Sequence, residues 1–270
     1  MAYKIQHLGL GGILDQAIAL TRNHFGLLLG IMLILFIPYH LVTGFITLSV
    51  MPDVGFIPTQ EQAAELHAAQ ARYWPIFVIF PLIGGLVVLP VTNAAVIWAV
   101  ARLYLGQGVT AMESLAEGFR RLLPLLGTTI LMYMAIFGGM ILCILPGILF
   151  AIWFGLSQHV VMIEGTAGPA ALKRSMKLVR PNFGTFLALG LLLFVIFAAL
   201  GFGAAFVPQR HVQLVVQTLF QAVATIVGTA AGVVFYFSAR CSVENFDLHY
   251  LAEAIGAEPP PGEDDVVPVR

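Results

Sequence analysis

Six apolar runs dominate the chain: Phe25–Val50, Pro75–Leu105, Leu125–Leu145, Gly147–Ile163, Phe183–Phe206 and Val212–Phe237. A helix that crosses a bilayer needs about 20 mostly apolar residues, and each run approaches or exceeds that length. The second run is the longest and contains Pro81 and Pro90, so tilting and kinking are expected to absorb its excess. The third and fourth runs are joined by Leu145-Pro146-Gly147 with no polar loop. Read as one helix they would approach ~60 Å, about twice the hydrocarbon thickness. Pro-Gly marks a turn, so a tight hairpin at the membrane face is predicted there.

The polar segments between the runs carry a different pattern. Leu14-Asp15-Gln16-Ala17-Ile18-Ala19-Leu20-Thr21-Arg22-Asn23-His24-Phe25-Gly26 and Leu172-Lys173-Arg174-Ser175-Met176-Lys177-Leu178-Val179-Arg180-Pro181-Asn182-Phe183-Gly184 read almost alike. Each is a short amphipathic segment that ends in an Arg, then Phe-Gly, then an apolar run. A fainter third copy lies between them, where Ala116, Phe119 and Arg121 match Ala17, Leu20 and Arg22. Such recurrence marks one structural unit used several times. The predicted fold is therefore all-α and integral to the membrane. Six transmembrane helices form three repeated hairpins, each preceded by a cytoplasmic amphipathic helix.

Start signals agree with this layout. Thr110-Ala111-Met112-Glu113 fits a capping box ahead of Leu115, Phe119 and Leu122. Gly168-Pro169 opens the next segment, with Pro suited to a first helical turn. Its Leu172, Met176 and Val179 fall on one face, and Lys173, Lys177 and Arg180 on another. Thr59 to Tyr73 has helical composition and predicts a short external helix. Four regions follow: an amphipathic helix in 1–24, a membrane domain in 25–239 with an external loop at 51–74, a helical extension in 240–257, and an acidic, proline-rich tail in 258–270. The tail composition cannot form a core and is expected to be disordered.

Composition identifies the solvent. The chain is 59% hydrophobic and 10% charged, with a mean hydropathy of +0.93. Soluble domains carry about 25% charged residues. The first apolar run exceeds a signal-peptide core of roughly 7–15 residues, so it is expected to be retained as a span. Net charge is −1, which suggests no nucleic-acid partner. The distribution is more telling. Lys4, Arg22, Arg102, Arg120, Arg121, Lys173, Arg174, Lys177, Arg180 and Arg240 fall on one side of the membrane, and only Arg72 and Arg210 on the other. The positive-inside rule places both termini in the cytoplasm of a bacterial cytoplasmic (inner) membrane. Arg22, Arg120, Arg121, Lys173, Lys177 and Arg180 become candidates for lipid headgroups, on helices lying with their apolar sides toward acyl chains. The alternative is that these side chains only fix topology. Expected partners are membrane lipids, and other integral subunits or a second copy of the chain. Cys143 and Cys241 lie far apart and read as small apolar fillers, and no metal or cofactor is expected.

Candidate chemistry is sparse. The chain has no Gly-x-Ser-x-Gly, no His-Glu-x-x-His, no phosphate-binding Walker loop and no Cys-x-x-Cys. No carboxylate falls at mid-span, which weakens proton- or cation-coupled transport. Gln217, Gln221, Thr225 and Thr229 recur at i, i+4 on the sixth run, a polar stripe that should face the bundle interior. It reads either as hydrogen-bond glue between helices or as a substrate path. Gly228 and Gly232 add a small-residue contact on the same helix. His40, Asn93 and His159 read as structural or cavity-lining groups, with a proton relay or a haem or metal ligand as the sharper option for His40. Glu164, Arg174, Arg240, Glu244 and Asp247 are proposed to form an ion-pair network at the cytoplasmic face, Arg240 and Glu244 being one turn apart.

Glu164-Gly165-x-x-Gly168-Pro169-Ala170-Ala171-Leu172-Lys173-Arg174-Ser175, then Arg180-x-Asn182-Phe183, resembles a loop found after the fourth span in a bacterial family. That family comprises proteins similar to the membrane domain of glycerophosphoryl diester phosphodiesterase, together with the YciC-like proteins. Arg240-Cys241-x-Val243-Glu244-x-Phe246-Asp247-Leu248 resembles the ending of those domains. The resemblance covers residues 10 to 250 and implies a six-helix integral membrane domain. It does not imply phosphodiesterase activity, which in that family belongs to a separate soluble barrel. The expected function is non-enzymatic: a scaffold or accessory subunit, or a lipid-interacting protein. The alternative is a transporter or channel for a small or lipid-like solute.

Overall fold

The computed structural model describes residues 5–52, 59–204 and 207–246, which are helical nearly throughout and contain no strand. Lys4, residues 53–58 of the external loop, Phe206, Asp247 and the rest of the C-terminal extension and tail lie outside the described residues. Six helical stretches are long and apolar enough to cross a bilayer: Phe25–Val50, Trp74–Tyr104, Leu122–Leu142, Ile144–Glu164, Phe183–Gly203 and Arg210–Glu244. This is a multi-pass membrane protein.

The chain opens with α1 (Leu10–Asn23) and enters span one through α2 (Phe25–Ile31), a π turn (Met32–Phe36) and α3 (Ile37–Val50). Between spans one and two, α4 (Gln60–Arg72) starts at a capping box between Thr59 and Gln62 and buries none of its residues. Span two comprises α5 (Trp74–Ile83), a second π turn (Gly84–Val88) and α6 (Leu89–Tyr104). Both π turns run into a proline, Pro38 or Pro90, as the next α-helix begins. Proline lacks an N–H and its ring crowds the preceding turn, so the ladder there widens to i→i−5 bonds. The two spans are tied beside these turns: the Tyr39 hydroxyl donates to the Phe80 carbonyl at 2.6 Å. A side chain at Gly84 would collide with the Tyr39 ring.

A capping box between Thr110 and Glu113 starts α7 (Ala111–Arg120), and the two backbone and hydroxyl contacts of Thr110 hold the Glu113 carboxyl below its usual range. Gly118 of α7 packs directly on the Val91 carbonyl of span two. Span three is α8 (Leu122–Leu142) and span four begins with α9 (Ile144–Trp153). The reversal between them lies at Cys143, not at Pro146-Gly147. Pro146 is instead in the first turn of α9, where its missing N–H has no intrahelical partner to lose. Gly147 is in the hairpin wall, in backbone contact with Gly139 and Met140. Cys143 is exposed at the turn, so it is not a buried filler; Cys241 is buried.

Span four breaks at Phe154-Gly155-Leu156 before resuming as α10 (Ser157–Glu164). The break strands backbone groups in an apolar setting. Ser175, fully buried on α11 (Pro169–Val179), answers them: its hydroxyl donates to the Trp153 carbonyl at 2.7 Å and accepts from the Leu156 N–H at 3.1 Å. The loop between α10 and α11 turns at Gly165 and Gly168, with φ of 75° and 66°, where a side chain would strain the backbone. The Gly168 N–H donates to Thr128 of span three at 2.8 Å.

Span five is α12 (Phe183–Ala204) and span six is α13 (Arg210–Glu244). They occupy opposite environments: the most apolar window of span six is 61% buried and that of span five 6%. Span six is the central post, against which α1, span one, span two, α11 and span five pack. It continues unbroken through Arg240, where a separate extension was expected, and ends at Glu244 because Asn245 turns left-handed at φ 50°.

Ser175→Ala removes both answers to the span-four break. The expected cost is about 1–3 kcal/mol for the stranded groups, read as a lowered unfolding temperature in detergent; an unchanged temperature would show that other groups satisfy the break.

Candidate functional site

The three amphipathic helices gather at one end of the bundle, the basic end. Their apolar faces, expected to turn toward acyl chains, are mainly packed into the protein; Ile18 of α1 and Met112 and Phe119 of α7 are exposed exceptions. Ile13, Ala17 and Leu20 of α1 are fully buried, as are Ala171, Ser175, Leu178 and Val179 of α11. The Leu8 N–H ahead of α1 donates to Ser238 of span six at 2.8 Å. Protein contact wins because each helix meets a fixed apolar surface: α1 and α11 on the central post, and α7 on span two.

The repeated segments occupy matching environments in two copies. Ala17 and Leu20 are buried and Arg22 exposed; Ser175 and Leu178 are buried and Arg180 exposed. The middle copy is one residue out of register. Ala116 and Phe119 are exposed, while Leu115 and Gly118 are buried and Arg120 exposed. The equivalent arginine is therefore Arg120, not Arg121.

Arg121 is withdrawn from the headgroup set. Its Nε donates to Glu117 at 2.6 Å, and its Nη1 to the Val161 and Met162 carbonyls at 3.0 and 2.8 Å. It thereby caps the end of α10, whose last carbonyls lack helical partners. Lys173, Lys177 and Arg180 are exposed on α11, and the Arg180 guanidinium lies 4.2 Å from the Trp153 ring centroid. Arg102 stacks on Trp98 at 4.6 Å at the same end.

Beneath this surface lies a buried ionic fork. Arg174 Nε donates to both Glu164 oxygens, at 2.9 and 3.0 Å. Its Nη1 and Nη2 donate to the two oxygens of Glu244, the second at 2.9 Å. Arg240 Nε reaches Glu244 at 3.2 Å, and the Tyr236 hydroxyl donates to Glu164 at 2.5 Å. Arg240 is fully buried, its guanidinium 4.1 Å from the Phe246 ring centroid. Burial works against the Arg174 charge, yet hydrogen bonding and attraction from Glu244 and Glu164 outweigh it and hold the guanidinium more firmly protonated than usual. Two carboxylates against two guanidiniums leave the cluster neutral, which is what makes its burial tolerable. Four of the five proposed network residues meet here; Asp247 is outside the described residues. Tyr236 was missed, and its position one turn before Arg240 was the available signal.

The polar stripe divides. Gln217 and Gln221 line a pocket of about 350 Å³ between spans one and six, together with His40, Thr43, Gly44, Thr47 and Arg210 among others. The side chains of Gln217 and Gln221 make no hydrogen bond among the described residues, so neither acts as glue there. Thr225 and Thr229 do not line the pocket. Further down the same helix, Gly232 lies directly against the His159 ring of span four, and Gly228 faces Phe197 of span five. His159 is thus a packing partner of the small-residue pair. Asn93 is half-buried in span two. Among the described residues, no three His, Cys, Asp or Glu side chains cluster closely enough to share a metal ion.

No family model matches this chain, and no curated protein or solved structure does either.

Arg174→Met leaves Glu164 and Glu244 buried without their main counter-charge. A loss of about 3–5 kcal/mol is expected, as for other broken buried pairs, and it should appear as a collapse of the folded yield; stability near wild type would mean that water or another cation neutralises the acids. Gln217→Leu should change stability by no more than about 0.5 kcal/mol, checked by thermal unfolding, whereas a larger loss would restore the glue reading.

Proposed function

We propose that this chain is a non-enzymatic multi-pass protein of the bacterial cytoplasmic membrane, with both termini in the cytoplasm, that interacts with lipid headgroups at its basic end. One observation carries the reading. α1, α7 and α11 are anchored to the bundle by buried faces, while Ile18, Met112 and Phe119 stay exposed, so Arg22, Arg120, Lys173, Lys177 and Arg180 project from held helices where the chain enters the bilayer. Arg180 on Trp153 supports the same level, since a Trp with a neighbouring cation suits the headgroup zone. The buried fork, by contrast, already satisfies its charges internally and reads as structural. Three repeated hairpins, each led by one basic helix, would explain the matched environments of the repeated segments. The resemblance to the membrane domain of the glycerophosphoryl diester phosphodiesterase family and to the YciC-like proteins favours the same six-helix reading without adding an activity.

A second reading, an accessory subunit of a membrane complex, draws on span five. Only 6% of its apolar window is buried, and Phe194, Val195 and Phe202 are turned outward. Transport of a solute finds less support, because the pocket lining stops at Gln221.

In nanodiscs, replacing part of a zwitterionic lipid with phosphatidylglycerol should raise the unfolding temperature of the wild-type protein. The K173Q/K177Q/R180Q variant should lose most of that gain, up to about 3 kcal/mol at about 1 kcal/mol per cation. An equal gain in both proteins would reduce these side chains to topology signals.

A further inference from the structure

The pocket between spans one and six lies at the opposite end of the bundle from the basic helices, and nothing in the reading above uses it. Arg210 opens span six and marks its rim. Gln221 lies eleven residues further along the same helix, roughly 16 Å deeper at 1.5 Å per residue. His40 lies at a similar depth below the end of span one at Val50. The polar lining therefore reaches about half-way through a hydrocarbon core of ~30 Å. Polar groups at that depth are costly and mark binding positions more often than chance surface. The volume, about 350 Å³, falls within the range of small-molecule pockets.

The lining chemistry narrows the ligand. It holds one guanidinium, Arg210, three carboxamides, Gln213, Gln217 and Gln221, and the imidazole of His40, with no carboxylate. The Nε2 atom of His40 is buried without a hydrogen-bond partner. The Thr43 and Thr47 hydroxyls already donate to the Tyr39 and Thr43 carbonyls, at 2.9 and 2.8 Å, which leaves their oxygens as acceptors. An anion suits the positive charge of Arg210 and the amide donors, and hydroxyl groups suit the remaining acceptors. The surroundings say where it comes from. Val42 and Phe45 of span one and Val215 and Leu219 of span six, in the same turns, are exposed apolar side chains at membrane depth. A polar pocket beside lipid-facing side chains suits a molecule whose head enters while its chains stay in the bilayer.

We propose that this pocket binds the hydroxylated phosphate headgroup of an amphiphile from the leaflet opposite the basic helices. Arg210 holds the phosphate at the rim, and Gln217, Gln221, His40 and Thr43 meet the hydroxylated part below it. The site is independent of the basic end, so the two fail separately.

The full chain in detergent, examined by native mass spectrometry, tests this with three probes: phosphatidylglycerol, diacylglycerol of the same chains, and inorganic phosphate. The wild type should retain phosphatidylglycerol over diacylglycerol. R210Q/Q217L should bind it about tenfold more weakly, the worth of one hydrogen bond to a charged group. Gln221→Leu, at an exposed position that makes no demand on folding, should weaken it in the same direction. K173Q/K177Q/R180Q should retain the tightest-bound lipid as the wild type does. Equal retention by wild type, R210Q/Q217L and Gln221→Leu, with unchanged lipid-free unfolding temperatures, would overturn the proposal. Inorganic phosphate that displaces the lipid and binds alone, weakened by the same substitutions, would assign the pocket to a free anion and overturn the amphiphile source.

Discussion

A bilayer offers no water to a backbone N–H or C=O, so every irregular turn within a span must be answered from inside the protein. This one constraint accounts for several of the polar contacts between distant segments. Ser175 answers the break in span four. Tyr39 reaches the Phe80 carbonyl beside the π turn of span two. Arg121 covers the last carbonyls of α10, and Thr128 accepts from Gly168 in the following loop. Each answering side chain comes from a different segment than the group it serves. Satisfying local defects thereby ties the spans together, which the apolar contacts, undirected and shared with lipid, do not do by themselves.

Charge is handled by the same logic at the basic end. A lone buried arginine or glutamate would be costly, yet Arg174, Arg240, Glu164 and Glu244 neutralise one another and bring α10, α11 and the end of the central post to one point. The charges left outside, on Lys173, Lys177 and Arg180, are held by helices that the fork and Ser175 have already fixed. Stability and any headgroup contact at this end are therefore coupled through α11, whose two faces serve the two roles.

The legible part of the sequence was the part governed by local rules. Run length and hydropathy locate six spans to within three residues, except at the end of span six, which runs on from Phe237 to Glu244, and the Thr110 box starts α7 where its spacing says. Contacts between distant segments were less visible. Arg121 follows Arg120 with no difference in local pattern, yet one is exposed and its neighbour is clamped to span four. Ser175 looks like any small residue on an amphipathic helix until the break at Phe154-Gly155-Leu156 is known. Pro146-Gly147 reads as a turn but lies inside α9, because proline is equally at home in the first turn of a helix; the reversal is three residues earlier, at Cys143. Gln217 and Gln221 share a stripe with Thr225 and Thr229, and periodicity alone does not say where a stripe leaves the interior for a pocket.

The single-residue reversal at Cys143 has a consequence for how the protein comes to be in its membrane. From Leu122 to Phe154 the chain contains no ionisable acid, base or imidazole side chain. The other two far-side connections carry Glu61, Glu65 and Arg72, or Arg210 and His211, and delivering them across the bilayer means dehydrating charge. The middle pair has nothing hydrophilic to deliver. Its two helices touch through Gly139 and Gly147, so placing this pair in the bilayer carries no cost of dehydrating charge and gains from the apolar surface that leaves water.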